Sequence, residues 1–232
     1  TNSFIETKEV NYIPYYLKVY EADSLYLVKE YEKSHKVLDS LFRKFKPLNT
    51  EQYKEYETYI SCAFALQKKI NFRDSILKSI ENYGSNARYF KYDSLMNLAF
   101  NNAEISSDNI LQSTELYRSK LNLKLRDSIQ EMCINDQKPR INARGNNIEI
   151  KKADSLNQVK LKFIFSKYGF PHEKLIGEFY IDSIDLNLNA ILLHTERDFR
   201  LNFLLPKILI AVKMGHAYPE NYTQPYDRFL ED

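Results

Sequence analysis

Residues 12–22 read YIPYYLKVYEA, residues 53–63 read YKEYETYISCA, and residues 89–99 read YFKYDSLMNLA. All three stretches share one pattern, in which two tyrosines are followed by an apolar residue and then by an alanine. The shared positions step by three, four and three residues, which is the spacing of one face of an α-helix. A helical pattern that recurs along a chain predicts a repeat protein built from stacked helix pairs.

Each copy of this pattern predicts two helices joined by a short turn. The expected pairs are 12–29 with 31–46, 51–69 with 72–83, and 87–101 with 109–135. We expect Thr50 to cap the third of these helices and Gly84 to end the fourth. The small alanine and the aromatic residue nine positions after it, in the first two copies, resemble tetratricopeptide repeats. The first two copies are 41 residues apart, from 12 to 53, which is longer than that family's period. We therefore describe these pairs as tetratricopeptide-like.

The remainder of the chain also reads as mainly helical. A polar connector at 141–147 precedes a helix at 151–168, which Gly169 and Pro171 should end. Residues 179–189 alternate like a strand but can also be read as a helix, and we favour the helix because no partner strand is evident. The last elements expected are a long helix at 197–214, kinked by Pro206, and an extended arm at 217–232.

The predicted fold class is therefore mainly α, with tetratricopeptide-like helix-hairpin repeats packed on a C-terminal α-helical domain. We place the repeats at 1–108 and the C-terminal domain at 109–232. The second helix of the third pair is expected to run into the C-terminal domain, so the boundary would be a shared helix.

Composition excludes several classes of protein. The 232 residues carry a net charge of +2 without a dense basic block, which argues against a nucleic-acid partner. Only five glycines are present, and no phosphate-binding loop or metal-ligand spacing appears, so no cofactor and no metal are predicted. The apolar runs are too short for a transmembrane segment. Cys62 and Cys133 are read as isolated buried thiols rather than a disulfide.

The first residue is Thr1 rather than methionine. We favour an exported or membrane-anchored bacterial protein with a removed signal peptide or lipoprotein leader over a cytoplasmic one, and the alternative is that Thr1 is simply where the expressed segment begins.

The candidate site residues are polar side chains set into apolar helix faces. Each has a structural alternative, as an inter-helix salt bridge, a buried polar tie, or a capping group. The possible catalytic residues are His194, Asp136 and Asp154. The possible binding residues are Gln137, Arg140, Asn157, Asp227 and Arg228. The other histidines, His35, His172 and His216, are expected to be solvated.

Residues from about Leu125 to Arg228 resemble a family of bacterial helical domains of unknown function. Its members carry D-Q-x-x-R, D-x-x-N, a Tyr-Gly-Trp-Pro turn, a glycine, a histidine after an apolar helix, and a terminal D-R. The matching positions here are Asp136-Gln137 with Arg140, Asp154 with Asn157, Tyr168-Gly169-Phe170-Pro171, Gly177, His194, and Asp227-Arg228. Phe170 replaces the usual tryptophan, and Pro139 puts a straight helix through Asp136 and Arg140 in doubt. The resemblance implies that these polar residues converge on one site or network.

Two functions remain open from the sequence. The repeats could hold a peptide or protein partner on an extended surface, which we favour because no nucleophile is evident. Alternatively, the C-terminal domain could be a hydrolase in which His194 is the base, Asp136 or Asp154 orients it or binds a metal, and Arg140 or Arg228 holds an anionic group. The enzyme gains support if His194 lies in an open cleft within hydrogen-bond reach of Asp136 or Asp154. It loses most of that support if Arg140 and Arg228 bury against Asp154 and Asp227 with His194 sealed in. The oligomeric state is not indicated.

Overall fold

A computed structural model describes residues 11–142, 147–178 and 186–231 of the chain. Within these ranges the chain is helical and contains no β-strand, so the predicted mainly α class is confirmed. Chain contacts divide it into two compact units. One unit is Ile13–Leu121, and the other begins at Asn122 and includes Asn11 and Tyr12. None of the described helices has both the length and the apolar character needed to cross a bilayer.

The first unit consists of α-helices and one short 3-10 helix. Its α-helices are α1 (Ile13–Leu27), α2 (Tyr31–Phe42), α3 (Glu55–Ala65), α4 (Phe72–Tyr83), α5 (Ser94–Asn102) and α6 (Ser107–Ser119), with a 3-10 helix at Ala87–Tyr92 before α5. The stripe that defined the repeats is buried in α1 and α3, where Tyr15, Ala22, Ile60 and Ala63 belong to the core. The sequence pattern therefore marks the faces on which these helices pack.

Two details of this unit differ from the predictions. Helix α3 begins at Glu55, and its N-cap residue is Lys54 rather than Thr50. The tyrosines of the third copy, Tyr89 and Tyr92, belong to the 3-10 helix and are 56% and 76% exposed. Gly84 does end α4, with a left-handed φ of 74°.

The expected long helix at 109–135 is wrong, because the chain turns between α6 and the next helix. The second unit begins with α7 (Leu123–Asn142) and α8 (Asn147–Lys167). The turn is stabilised by Asn122, whose backbone N–H donates to the carbonyl of Leu175 and whose side chain accepts from the N–H of Leu125. The start of α7 therefore depends on a tertiary contact, which the helix periodicity of the sequence does not indicate. Helix α7 runs through Pro139, so Asp136 and Arg140 do lie one helical turn apart.

The other helices of the second unit are short. They are α9 (Glu173–Ile176), α10 (Leu188–Leu193), α11 (Arg197–Phe199), α12 (Leu205–Met214) and α13 (Pro219–Glu231). A π-helical segment at Arg200–Leu204 joins α11 to α12, immediately before Pro206. A proline has no N–H for the regular helical bond, and a π-segment accommodates that loss. Most of the ambiguous stretch 179–189 lies outside the described residues, as does most of the connector at 141–147.

The expected extended arm at 217–232 is wrong, since α13 occupies most of it. Pro219 is the first helical residue, where its missing N–H costs nothing. Asn221 and Pro225 are buried four residues apart on one face, and the Asn221 amide donates to the side chain of Asn189 at 2.9 Å. Packing of this face explains a helix that two prolines appeared to forbid.

Two further expectations concern cysteine and histidine. Cys62 and Cys133 are both buried thiols that are not joined in a disulfide, as predicted. His172 and His216 are not solvated but half-buried and stacked, with ring centroids 4.2 Å apart. His35 likewise stacks on Tyr59, so its expected solvation is also wrong.

Candidate functional site

Helices α7 and α8 form an antiparallel hairpin that places the candidate residues together. The side-chain contacts between them join Glu131 to Lys160, Asp136 to Asn157, and Arg140 to Asp154. As the position on α7 rises, the partner on α8 falls, which is the register of two antiparallel helices. The two polar motifs of the sequence therefore face each other because they lie on paired helices.

Asp136 is the centre of this arrangement and is completely buried. One carboxylate oxygen, Oδ1, accepts from Arg140 Nη1 at 3.2 Å and from Asn157 Nδ2 at 3.4 Å. The other, Oδ2, accepts from Gln137 Nε2 at 2.7 Å. A buried carboxylate needs such donors to replace the water it has lost. Residues from α7 and α8 thus hold this group in one orientation.

The imidazole of His194 completes the set of contacts around Asp136. Its Nδ1 lies 3.0 Å from Oδ1 and 2.9 Å from Oδ2 of that carboxylate. Among the described residues Nε2 has no hydrogen-bond partner, and the side chain is 30% exposed. Because an ionised carboxylate only accepts, Nδ1 carries the proton and Nε2 presents its lone pair in the neutral ring. His194 therefore offers an accessible base whose tautomer is set by a buried acid.

The backbone around His194 is held by α10 and α8. His194 is the residue that caps α10, and its N–H donates to the carbonyl of Ala190. Two residues later, the N–H of Glu196 donates to the side chain of Gln158 on α8 at 3.0 Å. Gln158 is a positioning residue that the sequence analysis missed, because nothing in its own helix distinguishes it from other exposed polar residues.

Arg140 connects the two carboxylates of the site. Its Nη1 also donates to the backbone carbonyl of Asp136 at 2.7 Å, and its Nη2 donates to Asp154 Oδ1 at 2.6 Å. The guanidinium is 19% exposed and Asp154 is 23% exposed. Because Arg140 donates hydrogen bonds to both carboxylates, it positions them relative to each other.

The electrostatics of Asp136 follow from these contacts. Burial by itself raises the pKa of a carboxyl group. At Asp136 the hydrogen bond and charge of His194, the charge of Arg140 and the hydrogen bond from Gln137 outweigh burial, so its pKa is lowered. Asp136 is therefore ionised at neutral pH.

Asp136, Asp154 and His194 also place three potential metal-ligand atoms within 4.8 Å of one another. The guanidinium of Arg140 already lies between the two carboxylates and forms an ion pair with each. A divalent cation would have to displace that guanidinium, and the two carboxylates would then lose the hydrogen bonds that Arg140 donates to them. These residues fit an arginine-bridged acid–base site better than a metal centre.

The remaining predicted residues do not join this set. Asp227 and Arg228 are exposed residues of α13, and neither is among the partners of Asp136, Asp154 or His194. The predicted convergence thus brings together six of the eight residues, Asp136, Gln137, Arg140, Asp154, Asn157 and His194. Their use in catalysis or binding remains a prediction.

A cleft of about 500 Å³ opens between α7 and α8 beside this site. Asn157 lines the cleft and also donates to Asp136. The sequence analysis missed the other lining residues, which are Asn135, Lys138, Pro139, Glu149, Lys152, Ala153, Leu156 and Lys160. A signal was present in the steps of four from Lys152 to Leu156 to Lys160, which place these residues on one helix face.

Comparison of the chain with protein-family models, with curated proteins and with solved structures found no match. The resemblance to a bacterial family therefore remains an expectation.

Proposed function

We propose that the second unit carries a hydrolytic acid–base site in which His194 is the general base. The observation that carries this proposal is the position of His194, with Nδ1 2.9 Å from the buried Asp136 and Nε2 without a partner among the described residues. A histidine that served only as an internal tie would be sealed in. The 30% exposure of His194 distinguishes it from such a tie.

The chemistry expected of this site begins with a water molecule beside Nε2. As the water oxygen bonds to an electrophilic substrate carbon or phosphorus, Nε2 takes the proton from its broken O–H bond. Asp136 stabilises the imidazolium and keeps the ring oriented. The bond to the leaving group then breaks, and Nε2 returns the proton to that group. Arg140, Gln137 and Asn157 act indirectly, by holding Asp136.

The test is hydrolysis of 4-nitrophenyl acetate, butyrate and phosphate by the full chain, followed by substitution. We expect His194→Gln to lower kcat/KM by roughly 100-fold or more on any substrate that is turned over, which is the usual contribution of a general base. Asp136→Asn should also lower it and should change the pH profile, because an amide can stabilise the wrong histidine tautomer. His35→Gln, in the first unit, is the matched control.

A second readout does not depend on finding the substrate. Diethyl pyrocarbonate modifies accessible neutral imidazoles, so Nε2 of His194 should react before the half-buried His172 and His216. Mass spectrometry of the modified chain would show the order. A His194→Gln variant with wild-type hydrolysis, or a panel without turnover together with an unreactive His194, would contradict the proposal.

The first unit supports a second function, which is binding of a peptide or protein. The supporting observation is an exposed aromatic pair, Tyr89 and Tyr92, whose rings stack at 6.2 Å although both are more than half exposed. Exposed aromatic residues are enriched where proteins bind one another. Peptides selected by display on the full chain should lose binding to Tyr89→Ser/Tyr92→Ser but retain it with Leu111→Ser, an exposed control on α6. Equal loss in both variants would argue against this surface.

A further inference from the structure

The cleft between α7 and α8 has an unequal balance of charge. Among the described residues that line it are three lysines, Lys138, Lys152 and Lys160, and one acid, Glu149. Lys138 and Lys152 form no ion pair with any described residue. Lys160 lies 3.9 Å from Glu131, in a pair that is 45% and 67% exposed and therefore weak. Three ammonium groups around one cleft create a positive potential that attracts anions.

The cleft also has apolar walls. Pro139, Ala153 and Leu156 contribute to its lining, and Leu156 is 56% exposed. Its volume of about 500 Å³ is in the range of pockets that take small molecules. A ligand that suits it needs an apolar body to cover Leu156 and a negative group to reach the lysines.

We propose that this cleft binds a small amphiphilic anion, a carboxylate or phosphate with a short apolar chain. As an assignment of substrate class it rests on the proposed function, because it places the anionic and apolar part of a substrate in a cleft that adjoins the His194 site through Asn157 without including His194 itself. Asn157 provides the connection, since it lines the cleft and its amide contacts the carboxylate that orients His194. A ligand in the cleft would therefore change the surroundings of the imidazole through Asn157 and Asp136.

The binding test compares three probes of similar apolar length on the full chain: hexanoate, hexyl phosphate and hexyltrimethylammonium. Titration calorimetry should show binding of the two anions and none of the cation. In proton NMR spectra, saturating hexanoate should shift the His194 imidazole signals and leave those of His35 unchanged. Binding of the cation as tightly as the anions would overturn the charge argument.

Substitutions in the cleft test its location. Lys138→Gln/Lys152→Gln/Lys160→Gln should weaken hexanoate binding about tenfold, as expected for the loss of three modest charge interactions. The matched control is Lys124→Gln/Lys151→Gln/Lys162→Gln, which removes three exposed lysines of the same two helices outside the cleft. Equal weakening in both triple variants would mean a general charge effect and would overturn the proposal.

A second pair of variants tests the apolar wall. Leu156→Asp places a negative charge in the cleft and should abolish hexanoate binding, whereas Val159→Asp, on an exposed position of the same helix, should not. Both positions are exposed, so neither change should prevent folding. Retention of binding in Leu156→Asp would overturn the assignment.

His194→Gln separates this proposal from the catalytic one. The variant should bind hexanoate with unchanged affinity, because His194 does not line the cleft. If the variant binds hexanoate and also hydrolyses the substrate as fast as the wild type does, the cleft is a binding site and the catalytic proposal fails. If His194 is required for hydrolysis but neither anion binds, the cleft assignment fails and the catalytic proposal stands.

Discussion

Each unit of the protein contains a buried carboxyl group, and the two are surrounded very differently. In the first unit, Glu55 is 2% exposed and accepts from the hydroxyl of Tyr15 at 2.6 Å. It also accepts from the backbone and hydroxyl of Thr50, at 2.8 and 2.9 Å. These partners are themselves buried. In the second unit, Asp136 is equally buried, but its partners Arg140 and His194 extend to the surface.

This difference indicates what each carboxyl group is for. The contacts of Glu55 end inside the protein, and they tie the loop before α3 to α1, since the Tyr15 hydroxyl also accepts from the N–H of Leu48. The contacts of Asp136 end at an accessible nitrogen of His194. Burial of a carboxyl group is therefore weak evidence of function, and the exposure of its partners is better evidence.

The largest effect on stability is expected at Glu55. Glu55→Ala leaves three buried donors without an acceptor and should lower the free energy of unfolding by about 3 kcal/mol. Urea unfolding followed by circular dichroism and tyrosine fluorescence would measure it. Glu115→Ala, at an exposed position of α6, is the control and should change little. A loss no greater than that of the control would mean that Glu55 does not tie the loop.

Asp136→Ala should cost less, about 2 kcal/mol, because Arg140 and His194 can recover water when the carboxylate is removed. Its pH dependence provides a sharper test. The pKa of Asp136 is lowered in the folded protein from 3.8, so its contribution is present above that pH and is lost as the pH falls through the folded value. The stability difference between wild type and Asp136→Asn should therefore shrink on acidification below about pH 4. A difference independent of pH would contradict the charged role of Asp136.

The stacked pair of His172 and His216 should make the second unit sensitive to mild acid. Burial, with the charges of His216 and Lys174, lowers the pKa of His172 to about 4. Between this value and the ordinary histidine value of 6.5, the unfolded state therefore binds more protons than the folded state. The free energy of unfolding decreases as the pH is lowered across this window. After allowance for solvent screening, we expect a loss of about 1 kcal/mol between pH 7 and pH 5.

His172→Phe keeps a ring for the stack but cannot titrate, so it should flatten this pH dependence. Urea unfolding at pH 7 and pH 5 would show it. An unchanged slope in the variant would assign the acid sensitivity to other groups.

The smallest effect is expected at Asp154, whose ion pair with Arg140 is partly exposed. Asp154→Asn should cost about 0.5 kcal/mol in urea unfolding. It should leave the reactivity of His194 toward diethyl pyrocarbonate unchanged, since Asp136 still orients the ring. A strong loss of that reactivity would mean that Asp154 acts directly on His194. The contrast between Glu55 and Asp136 would then no longer rest on the partners of Asp136 alone.

Much of the fold could be predicted because helix periodicity is a local property. The stripes of α1 and α3 are visible in the sequence and buried in the structure, and Gly84 ended a helix where a left-handed residue was needed. The errors occur where a distant contact decided the outcome. Asn122 starts α7 through Leu175, and the buried face of α13 overrides two prolines.

The candidate site shows the same division. Polar residues in apolar helix faces were recognisable from their positions, and six of the eight meet around Asp136. Asp227 and Arg228 do not, because the turn into α13 places them on its exposed side. Lys138 and Lys152 looked like ordinary surface lysines, and only the pairing of α7 with α8 places them around one cleft.

The sequence by itself determined the helical class, the buried stripes and the polar residues that needed partners, because each depends on spacing within a single helix. The tertiary structure alone decided that Asp136 is buried while His194 remains partly exposed, since α7, α8 and α10 must pack together before either exposure is defined. It also decided that Arg140 is used between two carboxylates. Glu55 shows why this matters, because its sequence context did not reveal whether its contacts would end inside the protein or at the surface.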